Sequence, residues 1–335
     1  MQESVEMSER IYARYWLETG DDPMRAAEVI AGEQSSGTFL KLATETPALK
    51  ERSGARVESL QVLETVAEPS LPGGMRSSTY TRCLLELSWP LENMGPCLPT
   101  LMATVAGNLF ELAQVSGLRL LDLTLPPAFA KAYLGPAFGM AGTRRLSGVA
   151  KGPLIGTIIK PSVGLSVAET AQQVQLLVDG GIDFIKDDEL QADGSYCPFD
   201  QRVDAVMRVV NDATQKMGRQ VMVAFNITGD IDQMKRRHDW VLKHQGSCVM
   251  VCLNSVGLTG LTAFRQHSTL PIHAHRAGWG YLSRSPYVGW DFAAWQQIWR
   301  LAGVDHLHVN GLRNKFSEPD DVVIAAARSV VTPLF

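Results

Sequence analysis

The chain has 335 residues, of which 45% are hydrophobic and 20% charged, and its formal net charge is −4. This composition is ordinary for a globular protein long enough to form two domains. The small negative charge argues against a nucleic-acid surface. No apolar run reaches the roughly 18 residues that a transmembrane helix requires, so we expect no membrane partner.

The five cysteines are scattered along the chain, and no two of them stand in a CxxC spacing. The polar, acidic start MQESVEMSER is unlike a signal peptide. We therefore predict a cytoplasmic protein with buried thiols rather than disulfides or a zinc site. His238, His244 and His267 fall in helical or loop segments and are predicted to lie at the surface.

Residues 1–145 mix strand-like and helix-like runs without strict alternation, which predicts an α+β domain of the ferredoxin-like kind. The predicted strands are 10–16, 56–63 and 80–87, and the predicted helices are 24–30 and 98–107.

Residues 150–335 alternate instead between buried strands and amphipathic helices. The predicted strands are 154–160, 183–187, 221–226, 248–253, 272–275 and 306–309. Ser166 and Glu169 form the capping box of the first helix. This pattern predicts a TIM-type (β/α)8 barrel of which about six βα units are present. We expect the barrel to be incomplete, with its last two units missing.

Polar side chains follow several of these strands at the point where each strand ends. Lys160 ends the first strand, 186–189 the second, Asn226 the third, 273–276 the fifth and 306–308 the sixth. Active groups of TIM barrels project from this end of the strands, so a shared active site is predicted there.

The four residues Lys186, Asp187, Asp188 and Glu189 suggest a metal site. Because side chains alternate along a strand, Lys186 and Asp188 share a face, and Asp187 should point away from them. Two carboxylates suit a hard cation such as Mg²⁺. Taken alone, however, the tetrad fits a solvated acidic turn better than a metal site.

Six segments in this order resemble the RuBisCO large-chain family, over residues from about 10 to 331. They are GEQSSGT (32–38), AGN (106–108), GTIIKPSVGLS (156–166), GGIDFIKDDE (180–189), HAHRAGWG (273–280) and GVDHLHVNGLRNK (303–315).

The resemblance implies that Lys186 carries CO₂ as a carbamate and binds Mg²⁺ together with Asp188 and Glu189. It implies that Lys160 is a general acid or base beside the metal.

The remaining roles that the resemblance implies are contacts with a phosphorylated substrate. His275 and Lys315 would contact its reacting end, Arg276 and His308 a phosphate, and Glu33, Thr38 and Asn108 would reach the site of a second subunit in a homodimer.

The chain departs from carboxylating members of the family at several positions. Ser162 stands where they have a second lysine, Trp279 where they usually have a histidine, and the loop 309–314 is of a different type. Carbon fixation on ribulose bisphosphate is therefore not expected, and the chain resembles the non-carboxylating, RuBisCO-like members.

The resemblance favours an enzyme that uses Mg²⁺ to stabilise the enolate of a keto sugar-acid phosphate. Its reaction would be carbon–carbon cleavage, either decarboxylation or transcarboxylation and hydrolysis of 3-oxo-isoapionate 4-phosphate. Two alternatives stay open. One is a keto–enol tautomerase or isomerase of the methionine-salvage kind, and the other is a nonfunctional fragment.

Overall fold

The computed structural model describes residues 9–37, 42–218 and 220–329. The chain divides into two compact units. We call the described residues of 1–133, 279–298 and 310–335 the N-terminal unit, and those of 134–278 and 299–309 the barrel unit. In the described ranges, no helix is both long and apolar enough to cross a membrane.

Eleven strands are present in the part of the chain that the structure describes. They are β1 Arg10–Thr19, β2 Arg56–Val66, β3 Tyr80–Pro90, β4 Gly117–Thr124, β5 Gly156–Ile158, β6 Phe184–Lys186, β7 Met222–Asn226, β8 Cys248–Cys252, β9 Ile272–His275, β10 Val288–Trp290 and β11 His306–Leu307.

Twelve α-helices accompany these strands in the same described ranges. They are α1 Pro23–Glu33, α2 Pro47–Ser53, α3 Leu98–Ala106, α4 Pro127–Lys131, α5 Gly139–Ser147, α6 Val167–Asp179, α7 Phe199–Met217, α8 Ile231–Lys243, α9 Leu253–His267, α10 Trp279–Ser283, α11 Phe292–Ala302 and α12 Asp320–Ser329.

The N-terminal unit is built on a five-stranded sheet in the order β10-β4-β1-β3-β2. The pairs β4–β1, β1–β3 and β3–β2 are antiparallel, which is the βαββαβ arrangement of a ferredoxin-like domain. In β1, Ile11, Ala13, Tyr15 and Leu17 are buried at every second position, as a strand with one face on a core requires. The predicted α+β domain is therefore confirmed.

Two strands of this sheet, β4 and β10, have no counterpart among the predicted elements. The short strand β10 pairs in parallel with β4 and comes from the chain between β9 and β11. Arg119 of β4 fixes the pairing, since its guanidinium contacts the Asp291 carboxylate at 2.5 Å and donates to the carbonyls of Ser285 and Trp290, both at 2.7 Å.

The barrel unit contains a six-stranded sheet in the order β11-β9-β8-β7-β6-β5, and every neighbouring pair is parallel. These are the six predicted barrel strands. The helix after β5 begins with the expected capping box, in which Ser166 and Glu169 exchange hydrogen bonds. Met222, Ala224, Cys248, Met250 and Cys252 form a buried cluster on one face of the sheet.

All five cysteines are free thiols, and four of them are buried, while Cys97 is partly exposed. The predicted exposure of His238 is wrong, because its side chain is 1% exposed. Helix α8 buries Met234, Arg237, His238 and Val241, which recur at the helical spacing of a core-facing stripe. The His238 ring is held between the Asp239 carboxylate at 2.9 Å and the Thr269 N–H at 3.2 Å.

Candidate active site at the carboxyl ends of the barrel strands

The parallel sheet brings the ends of β5, β6, β7 and β9 to one edge. Lys160 follows β5, and its side chain is 55% exposed. Its ammonium donates to the Ser162 hydroxyl at 2.9 Å and makes a short contact with the Asp188 carboxylate. The structure thus brings Lys160 and Asp188 together across two neighbouring strands.

Lys186 is the last residue of β6, and it is only 3% exposed. Its Nζ donates to the Asp187 carbonyl at 2.6 Å, lies 3.3 Å from the Met250 sulfur and lies 3.6 Å from a Glu189 carboxylate oxygen. Burial lowers the pKa of the Lys186 amine, although Glu189 and Asp188 oppose that shift. The Lys186 amine therefore loses its proton at a lower pH than the amine of a surface lysine does.

Two carboxylates face this amine from the turn after β6. Burial by itself raises the pKa of Asp188, but the hydrogen bonds from Lys160 and the Leu190 N–H outweigh it, so the pKa is lowered. Burial also opposes ionisation of Glu189, whose pKa is nevertheless lowered by a backbone hydrogen bond and by His275. Both groups are anionic oxygen donors, the chemistry that a hard divalent cation requires.

Asp187 points away from this cluster, as strand alternation predicts. It is fully buried, and its Oδ2 lies 3.3 Å from the Arg202 guanidinium and accepts from the Asn226 N–H at 3.1 Å. Burial raises the pKa of Asp187, and the charge of Arg202 opposes that shift. Asp187 therefore belongs to the support of the site and does not face Lys186.

Asn226 is the last residue of β7, and the sequence predicts a polar strand end there without a specific role. Its side-chain amide donates to the backbone carbonyls of Asp188 at 3.3 Å and Glu189 at 3.1 Å. The amide thus fixes the backbone that carries the two carboxylates. In the sequence, the feature that indicates a role for Asn226 is its position directly after the apolar run 221–225.

His275 and His308 stack on each other at the same edge, with ring centroids 5.0 Å apart. The Ala277 N–H donates to His275 Nδ1 at 3.2 Å, so the neutral ring carries its proton on Nε2, which lies 3.4 Å from Glu189. Burial, together with the charge of Lys186, lowers the pKa of His275 to about 4. Burial and His275 likewise lower the pKa of His308 to about 4.

His273 and His306 lie two residues before His275 and His308, and their ring centroids are 5.7 Å apart. The His273 ring packs 5.2 Å from that of Phe184, and His306 Nε2 lies 2.7 Å from the Thr143 hydroxyl. Burial lowers the pKa of both rings. We interpret these two histidines as packing residues beneath the site.

Arg276, the predicted phosphate ligand, directly follows His275 and therefore lies at the same edge. Its side chain is buried, with 6% of the residue exposed. Three predicted residues belong to the N-terminal unit: Glu33 ends α1, Asn108 begins a 3₁₀ turn, and Lys315 is exposed after α11. Thr38 lies outside the described residues. The roles of these residues stay predictions.

Comparisons with known proteins extend the resemblance seen in the motifs to nearly the whole chain. The family model "Ribulose bisphosphate carboxylase large chain, N-terminal domain" matches residues 6–129. The model "Ribulose bisphosphate carboxylase large chain, catalytic domain" matches residues 139–332.

Three individual proteins show how far the similarity reaches. A 3-oxo-isoapionate-4-phosphate transcarboxylase/hydrolase of Xanthobacter autotrophicus is 72% identical over 98% of this chain and 79% of its own length. A 3-oxo-isoapionate-4-phosphate decarboxylase of Rhizobium etli is 42% identical over 96% of this chain and 77% of its own. The crystal structure of a rubisco-like protein from Burkholderia fungorum has a TM-score of 0.90 and 46% identity, and the match covers 97% of this chain and 78% of that one.

We predict that the His275 ring of the metal-free protein stays neutral until the pH approaches about 4. Because this pKa lies below the value of about 6.5 expected in the unfolded chain, the ring's contribution to stability is complete above about pH 6.5 and is lost as the pH falls through the folded pKa. NMR titration of the histidine ring signals measures it, with His275→Gln identifying the resonance.

Glu189→Gln serves as the control, since it removes a charge that raises the pKa of His275. The midpoint should fall further in this variant. A His275 midpoint near 6.5 in the otherwise unchanged protein would contradict the described burial of the ring.

Proposed function

The chain belongs to the family of ribulose bisphosphate carboxylase large chains, and from this premise we propose that it is a Mg²⁺-dependent RuBisCO-like enzyme. Its proposed reaction is transcarboxylation and hydrolysis of 3-oxo-isoapionate 4-phosphate. The observation that carries this choice is the much higher identity to the transcarboxylase/hydrolase than to the decarboxylase. Ser162, in place of a second lysine, supports the exclusion of carbon fixation.

The residues around Lys186 fit the proposed metal. A carbamate forms only from a neutral amine, and burial lowers the pKa of Lys186 in that direction. The carbamate would join the carboxylates of Asp188 and Glu189 as three oxygen donors. Bound there, Mg²⁺ would supply Lewis-acid stabilisation of the enolate that develops as the carbon–carbon bond breaks.

Lys160 and His275 are the proposed proton carriers. Lys160 is exposed on the site's open side and already hydrogen-bonds Ser162 and Asp188, so its ammonium can deliver a proton to a substrate oxygen. His275 is neutral and can accept a proton. Conversion of Lys186 to a carbamate would remove the positive charge of that lysine, and bound Mg²⁺ would place another cation near His275, so both changes would set the basicity of the ring.

Arg276 and His308 are the proposed phosphate ligands, with the guanidinium providing a charged, planar pair of donors. Lys315 is proposed to contact the reacting end of the substrate. Glu33, Thr38 and Asn108 are proposed to complete the site of a second subunit, so that the working form is a homodimer.

We predict that the protein with Mg²⁺ and bicarbonate uses water to split 3-oxo-isoapionate 4-phosphate into glycolate and a phosphorylated product that keeps the remaining carbons, without stoichiometric release of CO₂. Chelation by EDTA should abolish turnover. Lys186→Met should lower kcat/KM by more than about 100-fold, because one metal ligand is lost. Product analysis by NMR, with a separate CO₂ assay, measures these outcomes.

Lys151→Met is the control variant, since Lys151 is an exposed lysine of the same unit and should keep full activity. Stoichiometric CO₂ without glycolate would assign the decarboxylase reaction instead. Turnover that persists in EDTA or in Lys186→Met would contradict the metal site.

We predict that inactive subunits complement one another. Lys186→Met removes a barrel-unit residue and Asn108→Ala removes a residue of the N-terminal unit, so a mixed dimer would contain one site with neither substitution. After unfolding and refolding together, random pairing should restore about one quarter of the activity. Restored activity is measured against each variant refolded alone. No recovery in a mixture that forms mixed dimers, or a monomer in sedimentation, would contradict the shared site.

A further inference from the structure

Arg202 of α7 is a fully buried arginine that lies outside the residues assigned above. Its guanidinium donates to the Cys197 carbonyl at 3.1 Å and to the Ala192 carbonyl at 2.9 Å, and it lies 3.3 Å from the Asp187 carboxylate. The same guanidinium packs 5.3 Å from the centre of the Phe199 ring. The Arg202 side chain therefore contacts Asp187, directly after β6, and also residues 192 and 197 of the loop that leads to α7.

The position of Asp187 gives these contacts a consequence for the site. Asp187 immediately precedes the proposed ligands Asp188 and Glu189, and Ala192 follows them. Arg202 thus holds the ligand segment at its start and again at residue 192. The Asp187 carboxylate is also shared with the Asn226 N–H, while the Asn226 side chain holds the backbone carbonyls of Asp188 and Glu189.

We propose that Arg202 is a positioning residue, which acts through Asp187 to set the two carboxylates for a divalent cation. The proposal deepens the proposed function and rests on its metal site. Groups that orient metal ligands typically change metal affinity or activity by about 10- to 100-fold when they are removed. Arg202 makes none of the proposed contacts with metal or substrate, so any effect on the cation must pass through the ligand segment.

The barrel unit contains a second buried arginine–aspartate pair, which lies at the amino end of a strand and serves as a matched control. Arg265 of α9 is 4% exposed and lies 3.2 Å from the buried carboxylate of Asp305, which directly precedes β11. The two arginine–aspartate pairs share chemistry and burial, but Asp305 stands at the amino end of its strand and Asp187 at the carboxyl end of another. Loss of either pair should cost stability, whereas only loss of the Arg202 pair should alter the cation site.

The test is the dissociation constant of Mn²⁺ in bicarbonate buffer, measured by electron paramagnetic resonance on the full chain. Arg202→Met should weaken Mn²⁺ binding by about 10- to 100-fold, while Arg265→Met should stay within about threefold of the unsubstituted protein. Arg202→Lys keeps the charge but lacks the planar fork that reaches several acceptors, so it should also weaken binding by at least about tenfold. If Arg202→Met does not fold, the Mn²⁺ affinity of Arg202→Lys tests the proposal instead.

Kinetics provide the second readout. With saturating Mn²⁺ the Arg202 variants should regain kcat, and the cation concentration for half-maximal activity should rise in step with the dissociation constant. Unchanged Mn²⁺ affinity in a folded Arg202 variant, or an equal loss in Arg265→Met, overturns the proposal. Mn²⁺ binding that depends on Arg202, in a protein that leaves the sugar-acid phosphate untouched, supports the positioning role and rejects the proposed substrate.

Discussion

The enclosed amine of Lys186 is the constraint around which the site is organised. Burial disfavours its ammonium form, and the neighbouring carboxylates of Asp188 and Glu189 favour it, with burial prevailing. The pKa of the Lys186 amine is therefore lowered even though two anions lie beside it, and this favours the neutral form. Burial is the main reason that the pKa of the His275 ring is low, and the positive charge of Lys186 lowers it further, so a change in the charge of Lys186 would alter the protonation of this neighbour.

Local rules predicted the parts of the fold that depend on local patterns. The six barrel strands are short apolar runs separated by amphipathic helices, and each was found in the parallel sheet. Strand alternation also separates Asp187 from Lys186 and Asp188, since the period of two fixes which face of the strand a side chain occupies. The capping box at Ser166 is local in the same sense.

The features that sequence reasoning missed depend on contacts between distant segments. Strand β10 has only three residues and exists because β4 offers it a partner far away in the chain. The sequence around Arg202 does not predict its burial, which involves contacts with the carbonyls of Ala192 and Cys197 in the loop before α7. The wrong prediction for His238 has a different reason: the spacing of apolar residues in α8 favours burial at this position, whereas histidines in helices and loops are often exposed.

The central claim is that Lys186 becomes a carbamate beside Asp188 and Glu189 and so completes a magnesium site. Carbon-13 NMR of the protein in ¹³C-labelled bicarbonate tests it most directly. The account predicts a carbamate resonance that grows when Mg²⁺ is added and is missing in Lys186→Met. A spectrum without such a resonance at saturating bicarbonate and Mg²⁺, or one unchanged by Lys186→Met, would contradict it.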